Sequence, residues 1–161
     1  VFEAMRLGKR HQVTTMLNPA PARPTNPELF KHVDILTPNS TEVRILLGLA
    51  PDDPTPTRTL AHRLLDYGVQ TVIVTLGREG ALIVTQDKII EVPAIPIQAV
   101  DVTGAGDSFN ASLAVHLGQG MSVQDAVHEA VYSGAYTAMH LGVIDGLPTR
   151  EQLNIFKQEN S

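Results

Sequence analysis

The chain contains no cysteine and no tryptophan, and aromatic residues make up only 4% of it. Without Cys it can build neither a disulfide framework nor a thiolate zinc site. With so few rings, a base-stacking surface for single-stranded nucleic acid is not expected. Lys and Arg number 12 against 17 Asp and Glu, a net charge of −5, and they form no run. A basic footprint for nucleic acid is therefore lacking. No apolar stretch approaches the ~20 residues that cross a bilayer, so no membrane partner is expected. A cysteine-free chain fits a reducing compartment, and the expected location is cytoplasmic.

What is present is ordinary for a globular protein: 161 residues, 43% apolar and 18% charged, enough for a single domain over 1–161 with a real core. The opening Val1-Phe2-Glu3-Ala4-Met5-Arg6-Leu7-Gly8-Lys9-Arg10 has no apolar core or cleavage site of a leader. It reads as the middle of an amphipathic helix, so the chain is expected to start inside a larger gene product.

Local patterns predict alternating strands and helices. A helix over 1–9 stops near Gly8, and 13–17 is a short buried strand rich in β-branched residues. Asn18-Pro19-Ala20-Pro21-Ala22-Arg23-Pro24 must be a loop, because proline fixes φ and removes donors. A helical turn over 27–32 precedes a strand at 33–36. Asn39 or Ser40 caps a helix over 41–47, and a second helix spans 57–67. The β-branched run 71–76 is the clearest strand. It breaks at Gly77-Arg78-Glu79-Gly80 and is followed by strands at 81–85 and 89–92. Long helices cover 107–117 and 123–141, and a capped helix covers 149–157. This alternation implies an α/β domain with a mainly parallel sheet and right-handed crossovers. Ligands bind such sheets beyond the strands' carboxyl ends, where the loops at Asn18, Asn39, Gly77 and Asp101 are expected to gather.

In Asp101-Val102-Thr103-Gly104-Ala105-Gly106-Asp107-Ser108-Phe109 an extended segment runs through small residues into a helix start. Free N–H groups and the helix dipole there suit a phosphate. A carboxylate at Asp107 would repel that phosphate unless it accepts the proton of an attacking alcohol. The competing interpretation is an Asp cap after a glycine-rich turn. No Gly-Lys-Ser/Thr follows a glycine loop, which excludes a P-loop. No Gly-x-Gly-x-x-Gly follows an early strand, which excludes a dinucleotide fold.

Asp-x-Thr-Gly-Ala-Gly-Asp-Ser-Phe resembles the second signature of the phosphofructokinase-B (PfkB) or ribokinase family of carbohydrate kinases. Asn18-Pro19-Ala20-Pro21-Ala22, Pro38-Asn39-Ser40-Thr41-Glu42 and Thr75-Leu76-Gly77-Arg78-Glu79-Gly80 resemble three further motifs, in family order. The resemblance implies a three-layer α/β/α fold, of which this chain is the C-terminal half of the large domain. It implies that Asp107 is the catalytic base against the sugar hydroxyl, with Gly104, Ala105 and Gly106 lining an anion hole. It assigns Asn39, Thr75, Gly77, Gly80, Gly106 and Val131 to ATP and Glu42 to the hydration shell of Mg²⁺. For Asn39 and Glu42 the alternative is a cap and first-turn acid, for the glycines a turn, for Val131 helix core. The ribokinase branch implies K⁺ at Asp101, Thr103, Thr137, His140, Gly142 and Gly146, several through carbonyls.

The implied reaction converts D-ribose and ATP to D-ribose 5-phosphate and ADP. Fructokinase, ketose, deoxysugar and nucleoside kinases share the signature, and a non-catalytic ATP-binding module is the alternative of another class. The family's first signature, Gly-Gly-Lys-Gly-x-Asn, and its lid, which also serves dimerisation, do not occur in these residues. The isolated chain is accordingly expected to be catalytically incompetent, and the full-length protein a homodimer.

Overall fold

The computed structural model describes residues 1–160. By compactness it divides into two units, Val1–Leu76 with Leu82–Glu91, and Gly77–Ala81 with Val92 onward.

The first unit holds helix α1 (Phe2–Arg10), strands β1 (Met16–Leu17) and β2 (Ile35–Leu36), helices α2 (Ser40–Leu46) and α3 (Thr57–Leu65), and strand β3 (Thr71–Thr75). A 3₁₀ turn, Pro27–His32, leads into β2. β4 (Ala81–Val84) and β5 (Ile89–Val92) complete a sheet in the order β1-β2-β3-β4-β5. The first three strands pair in parallel, Met16 against Ile35 and Ile35 against Thr71. The α/β class and mainly parallel sheet are thus as the residue pattern predicts. Leu36, Val72 and Val74 from the strands, Val43 from α2, and Leu60 and Leu64 from α3 are fully buried together. Both faces of β3 are covered, which is why its sequence is a continuous apolar run rather than an alternation.

β1 and β2 are shorter than expected because side chains and turns take their first residues. The Val13 amide closes the end of α1 onto the Gly8 carbonyl (2.9 Å), and the Thr15 amide donates to the Asp34 carboxylate (2.8 Å). The Val33 amide donates back into the 3₁₀ turn, to the Phe30 carbonyl at 3.1 Å. Gly8 does not stop α1. The helix runs through it to Arg10, and a Cβ at Gly8 would stand 2.6 Å from the Thr15 methyl. The glycine serves close packing, not termination.

The second unit contains α4 (Ala105–Gly118), α5 (Val123–Ala138), a short turn of helix α6 (Val143–Gly146) and α7 (Arg150–Glu159). α4 starts two residues earlier than the expected 107, because Gly104 adopts φ +81° and serves as its N-cap. α5 ends at Ala138, not 141, since the Met139 and His140 amides turn back to Tyr136 and Thr137. α4 packs on α5 at the closest range glycine allows. A Cβ on Gly134 would lie 3.2 Å from the Ala105 carbonyl. Among the described residues no helix is long and apolar enough to cross a membrane.

Candidate active site

In the first unit, Asn39 and Glu42 form a reciprocal capping box at the start of α2. The Glu42 amide donates to Asn39 Oδ1 (2.9 Å), and the Asn39 amide donates to Glu42 Oε2 (2.8 Å). Two orphan donors of the helix are satisfied at once. Thr75 lies beside this box. Its amide donates to the Pro38 carbonyl at 3.0 Å, and Asn39 bridges to Thr75 in parallel register. The fold therefore brings Asn39, Glu42 and Thr75 to the carboxyl end of β3. Glu42 is only 9% exposed, and the box uses one of its oxygens, Oε2. A single carboxylate of this kind suits a hard cation that keeps most of its waters.

In the second unit, Gly77 and Gly80 bracket a 3₁₀ turn closed by the Gly80 amide on the Gly77 carbonyl (3.0 Å). Both have positive φ, +58° and +94°. Gly80 has a further constraint, since a Cβ there would sit 2.1 Å from the Val92 carbonyl oxygen. That backbone approach forces glycine whether or not a ligand binds. Val131 is 8% exposed on α5, so its side chain belongs to the packed face of that helix.

The segment 100–107 is fastened at several points. The Val100 and Asp101 amides both donate to the Ala138 carbonyl, at 2.8 and 3.2 Å. Asp101 accepts the Thr103 amide on Oδ1 (2.9 Å) and the Gly142 amide on Oδ2 (3.2 Å). Hydrogen bonds from the Thr103 hydroxyl and amide, then from the Gly142 amide, hold the Asp101 carboxyl below the usual range. The Ala105 amide is taken by the Val102 carbonyl (3.2 Å) and the Gly104 carbonyl by the Ser108 amide (2.9 Å). Gly106 and Asp107, in the first turn of α4, are both exposed. Amides in a first turn have no partner within the helix, and the dipole there favours an anion.

Thr137, His140, Gly142 and Gly146 lie around the same segment. A Cβ on Gly146 would be 3.4 Å from the Thr137 carbonyl oxygen and 3.5 Å from His140 Cβ. The six positions expected to hold a monovalent cation thus fall into two linked groups, Asp101 with Thr103 and Gly142, and Thr137 with His140 and Gly146. No group of three or more His, Cys, Asp or Glu side chains gathers among the described residues. Asp101 is the one carboxylate among these six positions, and the Thr137 carbonyl already accepts the His140 amide at 3.1 Å.

Sequence reasoning missed the polar contact between α4 and α5. Ser108 Oγ lies 2.8 Å from Ser133 Oγ and donates to the Ser133 carbonyl (3.2 Å), which also accepts the Thr137 hydroxyl (3.1 Å). Ser133 beside Gly134, with Thr137 one turn on, in a helix half of whose residues are buried, was the available signal.

A family model described as pfkB family carbohydrate kinase matches residues 1–150. The chain belongs to the PfkB family. The PfkB chain is 37% identical over 161 residues to the deoxyribokinase of Salmonella typhi, covering 99% of this chain and 53% of that protein. It is 31% identical to the ribokinase of Staphylococcus aureus, covering 96% and 51%. Among solved structures it superposes on the ribokinase of Thermotoga maritima with TM-score 0.88 at 33% identity, over 98% of this chain and 53% of that one. The Arabidopsis thaliana ribokinase complexed with ribose and ATP gives TM-score 0.88 at 29% identity, over 96% and 51%. The PfkB chain therefore has a ribokinase-like α/β fold. It spans about half the length of the curated relatives it matches.

Proposed function

We propose that the chain carries the ATP-binding and phosphoryl-transfer part of a kinase that phosphorylates ribose or a closely related sugar. The observation that carries this is the first turn of α4, where the exposed Asp107 carboxylate stands among amides free to bind a phosphate. The likeness to a ribokinase complexed with ribose and ATP, and to ribokinases and deoxyribokinases in sequence, supports the substrate class. A single structure matches nearly the whole chain, which supports reading it as part of one domain.

In this reading a sugar hydroxyl oxygen bonds to the γ-phosphorus of ATP while the bond to the β-phosphate oxygen breaks. ADP leaves, and the hydroxyl proton passes to Asp107. Gly104, Ala105 and Gly106 are assigned to the anion hole, with the first-turn amides of Gly106 and Asp107 as the donors that would meet the growing charge of the transferred group. Asn39, Thr75, Gly77, Gly80 and Val131 are assigned to the nucleotide. Glu42 would hold Mg²⁺ through water, and the ion supplies charge neutralisation on the phosphates. Asp101, Thr103, Thr137, His140, Gly142 and Gly146 are assigned to K⁺, with Asp101 as the one negative side chain of the set.

The test reads ATP binding on the chain by calorimetry and sugar-dependent ADP release with a panel of ribose, deoxyribose, fructose and nucleosides. The panel is run on the chain alone and mixed with a polypeptide carrying the family's first signature. Alone, the chain is expected to bind ATP without robust turnover. In the mixture, Asp107→Asn is expected to cut transfer by roughly 10²–10⁴-fold with ATP binding retained. A second reading is an ATP-binding module without transfer. ATP binding with no transfer to any sugar in the mixture would select it.

A further inference from the structure

The residues that face Gly104 come from a distant part of the chain. Gly104 has φ +81°, and a Cβ placed on it would lie 2.9 Å from Val143 Cγ1 and 3.6 Å from both Val143 Cβ and Cγ2. The Val143 isopropyl group thus rests directly on the Gly104 backbone, in the space only a glycine leaves open. The preceding residue grips the other end of the segment, since the Gly142 amide donates to Asp101 Oδ2 across 41 residues of sequence. Residues 142 and 143 therefore hold segment 101–104 at both ends. Val143 is 40% exposed, so it is poorly placed to serve as a core residue. Removing its methyl groups takes little apolar surface out of the interior.

We infer that Val143 is a positioning residue for the first turn of α4. It acts through Gly104, the N-cap whose carbonyl accepts the Ser108 amide at 2.9 Å, and so sets where the amides of Gly106 and Asp107 point. The catalytic consequence rests on the kinase reading above; the positioning itself does not. A branched side chain is suited to the role because its χ1 is restricted. A side chain that must stay put against a backbone atom is better β-branched than flexible. Ordering of the turn 142–146 and of the α4 start are then one event, since neither can move without breaking the Asp101–Gly142 or Gly104–Val143 contact.

The experiment uses the full chain and the variants Val143→Ala, Val143→Ile, Gly104→Ala and the Gly104→Ala/Val143→Ala double variant. Residue-resolved amide exchange is followed at Ala105 and Ser108, two hydrogen-bonded amides that follow Gly104 at the start of α4. Tm and ATP titrations are recorded alongside. Val143→Ala is expected to speed exchange at these two amides by about tenfold, with Tm and exchange in α5 little changed, because the opening is local. Val143→Ile is expected to restore the wild-type rates. Gly104→Ala is expected to lower Tm, and adding Val143→Ala to recover part of that loss by clearing the clash while the left-handed strain remains. Unchanged exchange in Val143→Ala, exchange that rises throughout the chain as Tm falls, or equal damage from Gly104→Ala in both backgrounds would each overturn the proposal. If wild type fails to bind ATP while the loop still responds to Val143→Ala, the kinase reading falls and the positioning role stands. If ATP binds normally and the loop does not respond, the reverse holds.

Discussion

Gly106 and Gly80 look alike in the sequence and differ completely in what surrounds them. A Cβ on Gly106 would meet nothing within 4 Å, and the residue lies inside α4. Gly106→Ala should therefore raise helix stability by about 0.5–1 kcal/mol. If the bare backbone approaches a phosphate, the same change should weaken ATP binding. A Tm gain with undiminished ATP affinity in calorimetry would remove Gly106 from the anion hole. Gly80, packed against the Val92 carbonyl, admits no such separation of fold from function. The sequence motif marked both glycines, but only the spatial neighbours distinguish them. Asp107 could be singled out as a candidate because the motif around it lies in adjacent residues. Val143 could not, because its partner Gly104 is adjacent only in space.

At the scale of elements, α2 shows a structural and a proposed catalytic demand resting on one side chain. Glu42 closes the capping box, and Gln serves that box as well as Glu does. Glu42→Gln is expected to cost no more than about 1 kcal/mol, the loss of charge at a helix start. Were Glu42 also to hold Mg²⁺, more of the ion would be needed to support ATP binding. Thermal melts with Mg²⁺-titrated calorimetry read both effects. An unaltered Mg²⁺ dependence would leave the box as its whole role. The longer helices were readable from apolar spacing, because burial of one face imposes it, whereas the single turn α6 at Val143–Gly146 was not foreseen. Helix ends were harder to read. Gly8 and Gly104 carry the same local cue, yet one lies mid-helix under Thr15 and the other begins a helix by turning left-handed. The start of α4 at Ala105 matters most, since it makes Asp107 the third residue of the helix rather than its first.

For the whole molecule, one ionic cluster ties the end of α1 to the start of β2. Asp34 accepts Lys9, the Thr15 amide at 2.8 Å and the Thr15 hydroxyl at 2.9 Å. Burial alone would raise its carboxyl, but the hydrogen bonds from Lys9 and Thr15 outweigh it and hold the group below its usual range. The unfolded chain, with an Asp near 3.9, binds the proton more readily. The contribution is thus complete above that value and is lost as pH falls through the lower, folded one. Denaturant melts between pH 7 and pH 2 should show a stability decline at the acid end that Asp34→Asn flattens. An identical decline in both proteins would exclude Asp34 as its source. None of this was visible in the sequence, where Lys9, Thr15 and Asp34 share no spacing rule.

The strand order β1-β2-β3-β4-β5 repeats the order of synthesis. Within these five strands, each one after β1 pairs with the strand made just before it. The parallel ladders still close over sizeable crossovers, Met16 to Ile35 and Ile35 to Thr71, so each pairing must first meet a loop-closure cost. The sheet can grow by addition at one edge, so the loop after β3 is carried on a finished strand before α4 and its Asp107 are translated.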